Sequence, residues 1–310
     1  MKKIKDYKKF VLEYSPFKWE VFTNEKLDYY NNKHSFEIAY IRFQKVFEFL
    51  VDLKTEMNNP KIIDVGAYPG NMIKLSKNIF EEYRNYLAIG LDLDKKFIDE
   101  VKKFNVKCVD TEIDPNFYRA REVKEWEAKD YDICYLLDVI EHLVNPIHCL
   151  EKINHSLRVG GKLIITTDNI TNFLYIFKMI LKGDSPNVHP VLSSLFYHGN
   201  HRPHNKEFSK NELEFLLNYC GFKVKKHKYF DRKQGEFKIV NNKIIHRNIE
   251  NSFKGYLGLI LKSVSYLIPH FRNHQILVAE KVENINDMNR IEPTTSKEEW
   301  MKLRLKTIGY

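Results

Sequence analysis

Three aspartates stand where short apolar runs end: Asp64 after Lys61-Ile62-Ile63, Asp92 after Tyr86-Leu87-Ala88-Ile89-Gly90-Leu91, and Asp110 after Val106-Lys107-Cys108-Val109. The first is followed by Val65-Gly66-Ala67-Tyr68-Pro69-Gly70-Asn71-Met72, a glycine turn running into residues that read as a helix start. Strand, tight loop and helix N-terminus, in that order, is the layout of nucleotide-cofactor sites in open α/β sheets. Gly66 can take φ > 0 and let the backbone approach a ligand, and Gly70 offers the same freedom. Carboxylates at neighbouring strand ends face the crevice at the carboxyl edge of the sheet. There Asp92 can accept both ribose hydroxyls of an adenosine, and Asp110 can accept from the adenine amino group. A helix cap or solvated turn competes for each acid and is adopted for Asp94. Three strand-tip acids in series favour an adenosine ligand.

The dinucleotide fingerprint G-x-G-x-x-G fails here, because Tyr68 holds the second glycine position and Asn71 the third. A P-loop fails too, for want of Gly-Lys-Ser/Thr. The carboxylate of Asp64 would repel a pyrophosphate but suits a cationic amino-acid moiety. A second chemical cluster is His198, His201 and His204, whose three-residue spacing raises a metal site. No cysteine or acid sits among them and Pro203 breaks helical geometry, so no metal is expected. His201 and His204 are carried forward as a candidate general base or acceptor-binding pair, against the plain reading of hydrogen-bonded loop histidines.

These residues need a scaffold, and the chain supplies one. Tyr131–Leu137 and Lys162–Thr167 add two apolar runs to the three above. Strand runs alternate with helical patterns, at Lys95–Phe104 and at Asn145–Leu157 with Gly160-Gly161 as its stop signal. Near-continuous apolar runs are those of parallel strands buried on both faces, hence an α/β fold. Ser209-x-x-Glu212 is a capping box opening a helix that stops at Gly221. Phe222-Lys223-Val224 and Gln275–Glu280 read as the sixth and seventh strands. Ahead of the sheet, Phe36, Ile38, Ile41, Val46, Phe47, Leu50 and Leu53 fall near helical spacing until Asn58-Asn59-Pro60 breaks it. Residues 1–57 thus form an N-terminal helical cap, 58–282 the main domain with insertions at about 170–207 and 230–274, and 283–310 a tail with a short helix from Ser296.

The 310 residues carry 50 Lys and Arg against 41 Asp and Glu, a formal charge of +9. The excess is diffuse with no arginine stripe, which argues against nucleic acid as partner. Cys108, Cys134, Cys149 and Cys220 form no C-x-x-C pair and read as reduced core residues of a cytoplasmic protein. No run reaches the ~20 apolar residues of a membrane span, and no signal peptide is expected from Met1-Lys2-Lys3-Ile4.

With these residues in place the chain resembles the class I S-adenosylmethionine-dependent methyltransferases over roughly Ile62 to Lys281. Asp64, Gly66 and Gly70 match the first motif of that family, with Tyr68-Pro69 departing at its middle glycine; Gly90-Leu91-Asp92 matches the second and Asp110 the third. Asp132-Ile-Cys-Tyr-Leu-Leu-Asp-Val-Ile-Glu141-His142-Leu143-Val144-Asn145-Pro146 is similar to a segment of the small-molecule branch that includes ubiquinone-pathway O-methyltransferases. So is Leu157-Arg158-Val159-Gly160-Gly161, followed by Thr166-Thr167-Asp168-Asn169. The resemblance implies a three-layer Rossmann-like fold with a seven-stranded sheet, six strands parallel and the last antiparallel. It implies S-adenosyl-L-methionine as cofactor, contacted by Asp64, Gly66, Ala67, Tyr68 and Gly70 on the methionine side, Asp92 and Leu93 at the ribose, Asp110 at the adenine and the Leu137 backbone along the pocket. Glu141-His142 is expected to organise a helix start.

Acceptor specificity must then come from the insertions. The apolar stretches Phe173–Leu181 and Tyr256–Ile268 are expected to pack as lid helices, with docking at the inner membrane surface as the rival reading. The expectation is O-methylation of a small molecule or a sugar or glycan hydroxyl, lipid-linked acceptors included. An RNA methyltransferase and a non-catalytic scaffold of the same fold are the alternatives.

Overall fold

The structure is a computed structural model that describes residues 33–67, 70–90, 93, 95–114, 126–183, 204–231, 237–240, 243–246, 267–287 and 298. Tyr68, Asp92, His198, His201, the stretch Tyr256–Tyr266 and all but Glu298 of the C-terminal helix expected from Ser296 lie outside the described residues.

Helix α1 (Lys33–Glu56) precedes strand β1 (Lys61–Val65), helix α2 (Asn71–Phe80), β2 (Asn85–Gly90), α3 (Lys95–Lys102) and β3 (Val106–Asp110). The second half continues through β4 (Tyr131–Leu137), α4 (Pro146–Ser156), β5 (Leu157–Asp168), α5 (Phe173–Lys182), α6 (Lys210–Tyr219) and β6 (Phe222–Phe230). A hairpin of β7 (Phe237–Val240) and β8 (Lys243–His246) follows, then β9 (His274–Lys281). Seven strands form one sheet in the order β3-β2-β1-β4-β5-β9-β6. β9 runs antiparallel to both of its neighbours, while β1–β5 pair in parallel. The crossover reverses between β1 and β4, the switch point where open α/β sheets bind ligands.

Alternation along the strands assigns the layers. Ile62, Tyr86, Ile133, Tyr135 and Ile164 pack under α1, α2 and α3, where Val46, Leu50, Ile73, Ile79 and Phe97 are buried. Ile63, Val65, Leu87, Leu136 and Ile165 face the opposite way, toward α4 and α6 with Leu150, Ile153, Leu213 and Leu217. Burying both faces removes each strand from water, which is why the runs read as nearly continuous apolar sequence. The capping box forms as expected: Ser209 Oγ accepts from the Glu212 N–H and Glu212 Oε2 accepts from the Ser209 N–H at 2.9 Å.

Two local readings change. Gly160-Gly161 does not stop α4, which ends at Ser156; both glycines lie inside β5. A Cβ on Gly161 would come within 2.8 Å of the Arg158 carbonyl, so the glycine serves a close backbone approach beside the irregular pairing of β4 with β5. Within the insertion after β6, the described backbone includes the β7–β8 hairpin, which the apolar patterning did not indicate.

Candidate cofactor and acceptor site

The carboxyl ends of β1, β2, β3, β4 and β5 lie along one edge of the sheet. At the end of β1, Gly66 takes φ 78 and Gly70 takes φ 92, both in the left-handed region that favours glycine. A Cβ on Gly66 would sit 2.5 Å from a Val139 methyl, so no larger residue fits without displacing the wall after β4. The Gly66 and Ala67 N–H groups both donate to the Ile89 carbonyl, at 2.9 and 3.1 Å, which ties the loop to β2. Gly70 is the N-cap of α2 and brings no side-chain acceptor, so this helix start is open to an external carboxylate.

Asp64 does not end the strand at the crevice. Its side chain is buried, and Oδ2 accepts the Tyr86 hydroxyl at 2.9 Å. Burial raises its carboxyl to about 7, the Tyr86 bond partly opposing the shift. Gly90 ends β2 with Leu93 packed against it, and the exposed Asp110 ends β3 beside it in register. Leu137 closes β4, half-buried. The described members of the expected cofactor set thus lie along one edge, apart from the buried Asp64 carboxyl. Left-handed glycines at Gly66 and Gly70, an uncapped helix start and an acid at the end of β3 suit a nucleoside carrying an amino-acid tail.

Beside Leu137 lies a second cluster of polar residues that sequence spacing did not bring together. Asp138, after Leu137, takes φ 52, rare for a non-glycine residue. Its Oδ1 accepts from Thr166 Oγ at 2.6 Å, and its Oδ2 receives Arg42 Nη1 from helix α1. Glu141 lies in a turn of 3-10 helix, Ile140–His142, and is buried. It does not start α4, whose cap is Asn145. Instead its backbone carbonyl accepts from the Asn205 and Lys206 N–H groups at 2.7 and 3.0 Å, and its Oε2 from Thr167 Oγ at 2.8 Å. Burial pushes the Glu141 carboxyl up to about 7; nearby His204 works against this and the charge of Asp168 adds to it.

His204 is anchored into this corner. Its Nδ1 lies 3.3 Å from Glu207 Oε1 and 3.7 Å from Asp168 Oδ2, and its ring meets His142 edge-on at 4.8 Å. Glu207 is fully buried and also accepts the Tyr175 hydroxyl at 3.1 Å, which joins α5 to the cluster. Asp168 holds His274 Nδ1 at 2.5 Å. Burial alone would lower the His204 pKa, but the Glu207 hydrogen bond and the charges of Glu141 and Asp168 outweigh it and raise the imidazole above its ordinary value. Asp168, His204 and Glu207, and separately Glu141, His142 and His204, offer ligand atoms within 4.8 Å of one another; these are the described residues that could hold a metal.

Residues 38–227, more than half of the chain, match the family model described as a methyltransferase domain. The chain belongs to the methyltransferase-domain family. Its cofactor is S-adenosyl-L-methionine. This methyltransferase chain is 24% identical over 162 residues to the ubiquinone biosynthesis O-methyltransferase of Pelagibacter ubique (strain HTCC1062), covering 51% of this chain and 62% of that protein. It therefore spans less than two thirds of that curated relative. Among solved structures, a putative methyltransferase in complex with the Trm112 activator of Haloferax volcanii superposes with TM-score 0.50 at 10% identity, over 83% of this chain and 97% of that one. The 1,6-didemethyltoxoflavin-N1-methyltransferase of Burkholderia thailandensis, solved with 1,6-didemethyltoxoflavin and S-adenosylhomocysteine, gives 0.48 at 13% identity over 89% and 90%.

Proposed function

We propose that this methyltransferase transfers a methyl group to a hydroxyl oxygen of a small molecule or of a sugar or glycan, with His204 as the base that removes the hydroxyl proton. When bound, S-adenosyl-L-methionine supplies a methyl group on a positively charged sulfur. The chain itself supplies position and proton removal. Gly66, Ala67 and Gly70 set the backbone against the amino-acid end, and Asp110, with Asp92, meets the nucleoside. Methyl transfer of this kind is an in-line displacement, so holding both partners in one crevice supplies much of the rate. A base in hydrogen-bond reach makes a hydroxyl oxygen a better attacking group.

The single observation carrying this reading is the carboxylate-bound imidazole of His204, held on Glu207 and Asp168 at the end of β5. Fixing Nδ1 on carboxylates leaves Nε2 as the ring atom for an acceptor proton. The bound carboxylates also keep the imidazole basic. His201, three residues earlier in the sequence, is a second candidate.

Lipid-linked acceptors fit the same proposal. Helix α5 exposes Leu174, Phe177, Met179, Ile180 and Leu181, and Leu267 is exposed nearby in the chain that leads to Phe271, which packs on Phe173. Such a face supports peripheral contact at the inner membrane surface. No helix among the described residues is long and apolar enough to cross a membrane.

Two experiments test the proposal. Calorimetric titration with S-adenosylhomocysteine, with NAD as control and Asp92→Ala alongside, should give micromolar binding that the variant loses. Labelled methyl donor with a panel of hydroxylated small molecules, sugars and bulk tRNA should then label the first classes and spare the RNA. Labelling of tRNA alone would overturn the acceptor assignment.

A further inference from the structure

Asp64 sits mid-sheet, with Ala88 of β2 and Tyr135 of β4 as its register partners, and is 3% exposed. Its hydrogen-bond donor Tyr86 belongs to the layer beneath α1, α2 and α3. Among the described residues no cation pairs with it; burial and the Tyr86 bond set its ionisation. The titratable groups around it are Tyr86 on β2, Tyr135 and Cys134 on β4, and Tyr83, whose ring lies 5.3 Å from that of Tyr86. Burial pushes all four above their ordinary range, Tyr83 to about 12, so each is neutral near pH 7. From the helices, Ser76 of α2 meets the Tyr135 hydroxyl at 2.9 Å, while Leu50 of α1, Ile73 of α2 and Phe97 of α3 bring apolar surface. Among these groups Asp64 is the one that titrates at about 7.

The same carboxyl stands close to the cofactor loop. Two residues of strand, about 7 Å, separate Asp64 from Gly66, and Ala67 and Met72 on either side of Gly70 lie in the same buried layer. The donor and the product of a methyl transfer differ here by one charge. S-adenosylmethionine carries a sulfonium, and S-adenosylhomocysteine carries a neutral thioether. A unit charge about 10 Å from a carboxyl, at an effective dielectric of about 20, shifts its proton equilibrium by roughly tenfold to twentyfold.

We propose that Asp64 distinguishes the methyl donor from its spent product: the carboxyl is protonated while the loop is empty or holds S-adenosylhomocysteine, and it releases that proton to solvent when the sulfonium form binds. One O–H bond breaks, and the positive charge that arrives balances the proton that leaves. After transfer the Asp64 carboxylate faces a neutral thioether and takes a proton back from solvent, which favours departure of the product over the donor. Asp64 is a specificity-determining residue here and acts through its charge. The inference rests on the cofactor assignment and is independent of the acceptor and of His204.

The test is calorimetric titration of the full chain with each ligand between about pH 5.5 and 7.5, in two buffers of unlike ionisation enthalpy at each pH. Both ligands share one amino-acid end, so its own titration cancels in the comparison. Near pH 6.5 S-adenosylmethionine should release about half a proton more per site than S-adenosylhomocysteine, and its Kd should fall about eightfold across the range while that of the product stays within about twofold. Asp64→Asn, which keeps an acceptor for Tyr86, should abolish the extra release and the pH trend. Glu141→Gln, which alters the other carboxyl raised to about 7, should keep both. Tyr86→Phe removes the bond that favours the ionised carboxyl, so the release should peak at higher pH. Equal release for the two ligands overturns the inference. So does an extra release that survives in folded Asp64→Asn, one that Glu141→Gln removes, or a peak that Tyr86→Phe leaves unmoved. Failure of both ligands to bind the unaltered protein overturns the cofactor assignment and this inference together.

Discussion

The Tyr86 hydroxyl donates to Asp64 Oδ2 at 2.9 Å inside the layer between the sheet and helices α1 and α2, with both side chains buried. A carboxyl there titrates near 7 instead of at its ordinary 3.8. Between these values the unfolded chain releases the proton and the folded chain keeps it. The contribution of Asp64 to stability is therefore fully present at the acid end and is lost as pH rises through the window from 3.8 to about 7, by something on the order of a few kcal/mol. Glu141, raised to about 7 in the same way, adds a second such contribution. Asp64→Asn should flatten part of this slope in melting temperature against pH, and an identical profile in the variant would refute the account.

Gly66→Ala tests the cofactor loop. Its φ of 78 and the Val139 methyl 2.5 Å from the added Cβ oppose any side chain, and the backbone term alone is about 1–2 kcal/mol. S-adenosylhomocysteine affinity should drop by at least about tenfold. Adding Val139→Ala should restore only the part due to the clash. Full restoration by the second change would remove backbone conformation from the explanation.

Much of this architecture could be read directly from the residues. Tyr131–Leu137 begins and ends where its apolar run does, and Ser209 caps α6 as its spacing with Glu212 indicates. The glycine loop and Asp110 fall at strand ends because those positions are local: one run, one acid, one turn. The cluster around His204 was not legible for the opposite reason. Glu141, Asp168, His204 and Glu207 come from three separate segments, and only the sheet order brings them together. Asp138 and Arg42 are 96 residues apart, beyond the reach of any periodicity. Gly160-Gly161 misled because a glycine pair after a helix signals a stop as readily as it signals close strand contact.

Glu207→Gln probes the proposed base. The Glu207 hydrogen bond and charge help to raise His204, so the neutral amide should lower the imidazole pKa. The acid limb of kcat/KM, which tracks loss of the His204 proton, should move to lower pH, with a smaller plateau from the weaker base. His204→Ala should abolish most turnover while leaving S-adenosylhomocysteine binding within about threefold. An unmoved limb in Glu207→Gln would dissociate His204 from the reaction.

Ser209→Ala serves as a structural contrast. Losing the capping hydroxyl of α6 should cost about 1 kcal/mol of stability, read from denaturant unfolding. It should leave cofactor affinity and the pH profile untouched, because α6 packs on the face opposite α1 and α2. A change in affinity would show that the two faces communicate.

Strand β9 lies between β5 and β6 and supplies the only ladder partner of β6 among the described residues. Although β6 is made forty-four residues earlier, counted from Phe230 to His274, it has nowhere to pair until β9 arrives. During synthesis β5 must therefore wait with a naked edge, and the nascent chain stays open to mispairing until residues past Lys281 have cleared the ribosome. The sheet is locked by the last of its seven strands to be made, so a ribosome stalled short of β9 would yield a chain with its first five strands ready and the outer edge of β5 unsealed.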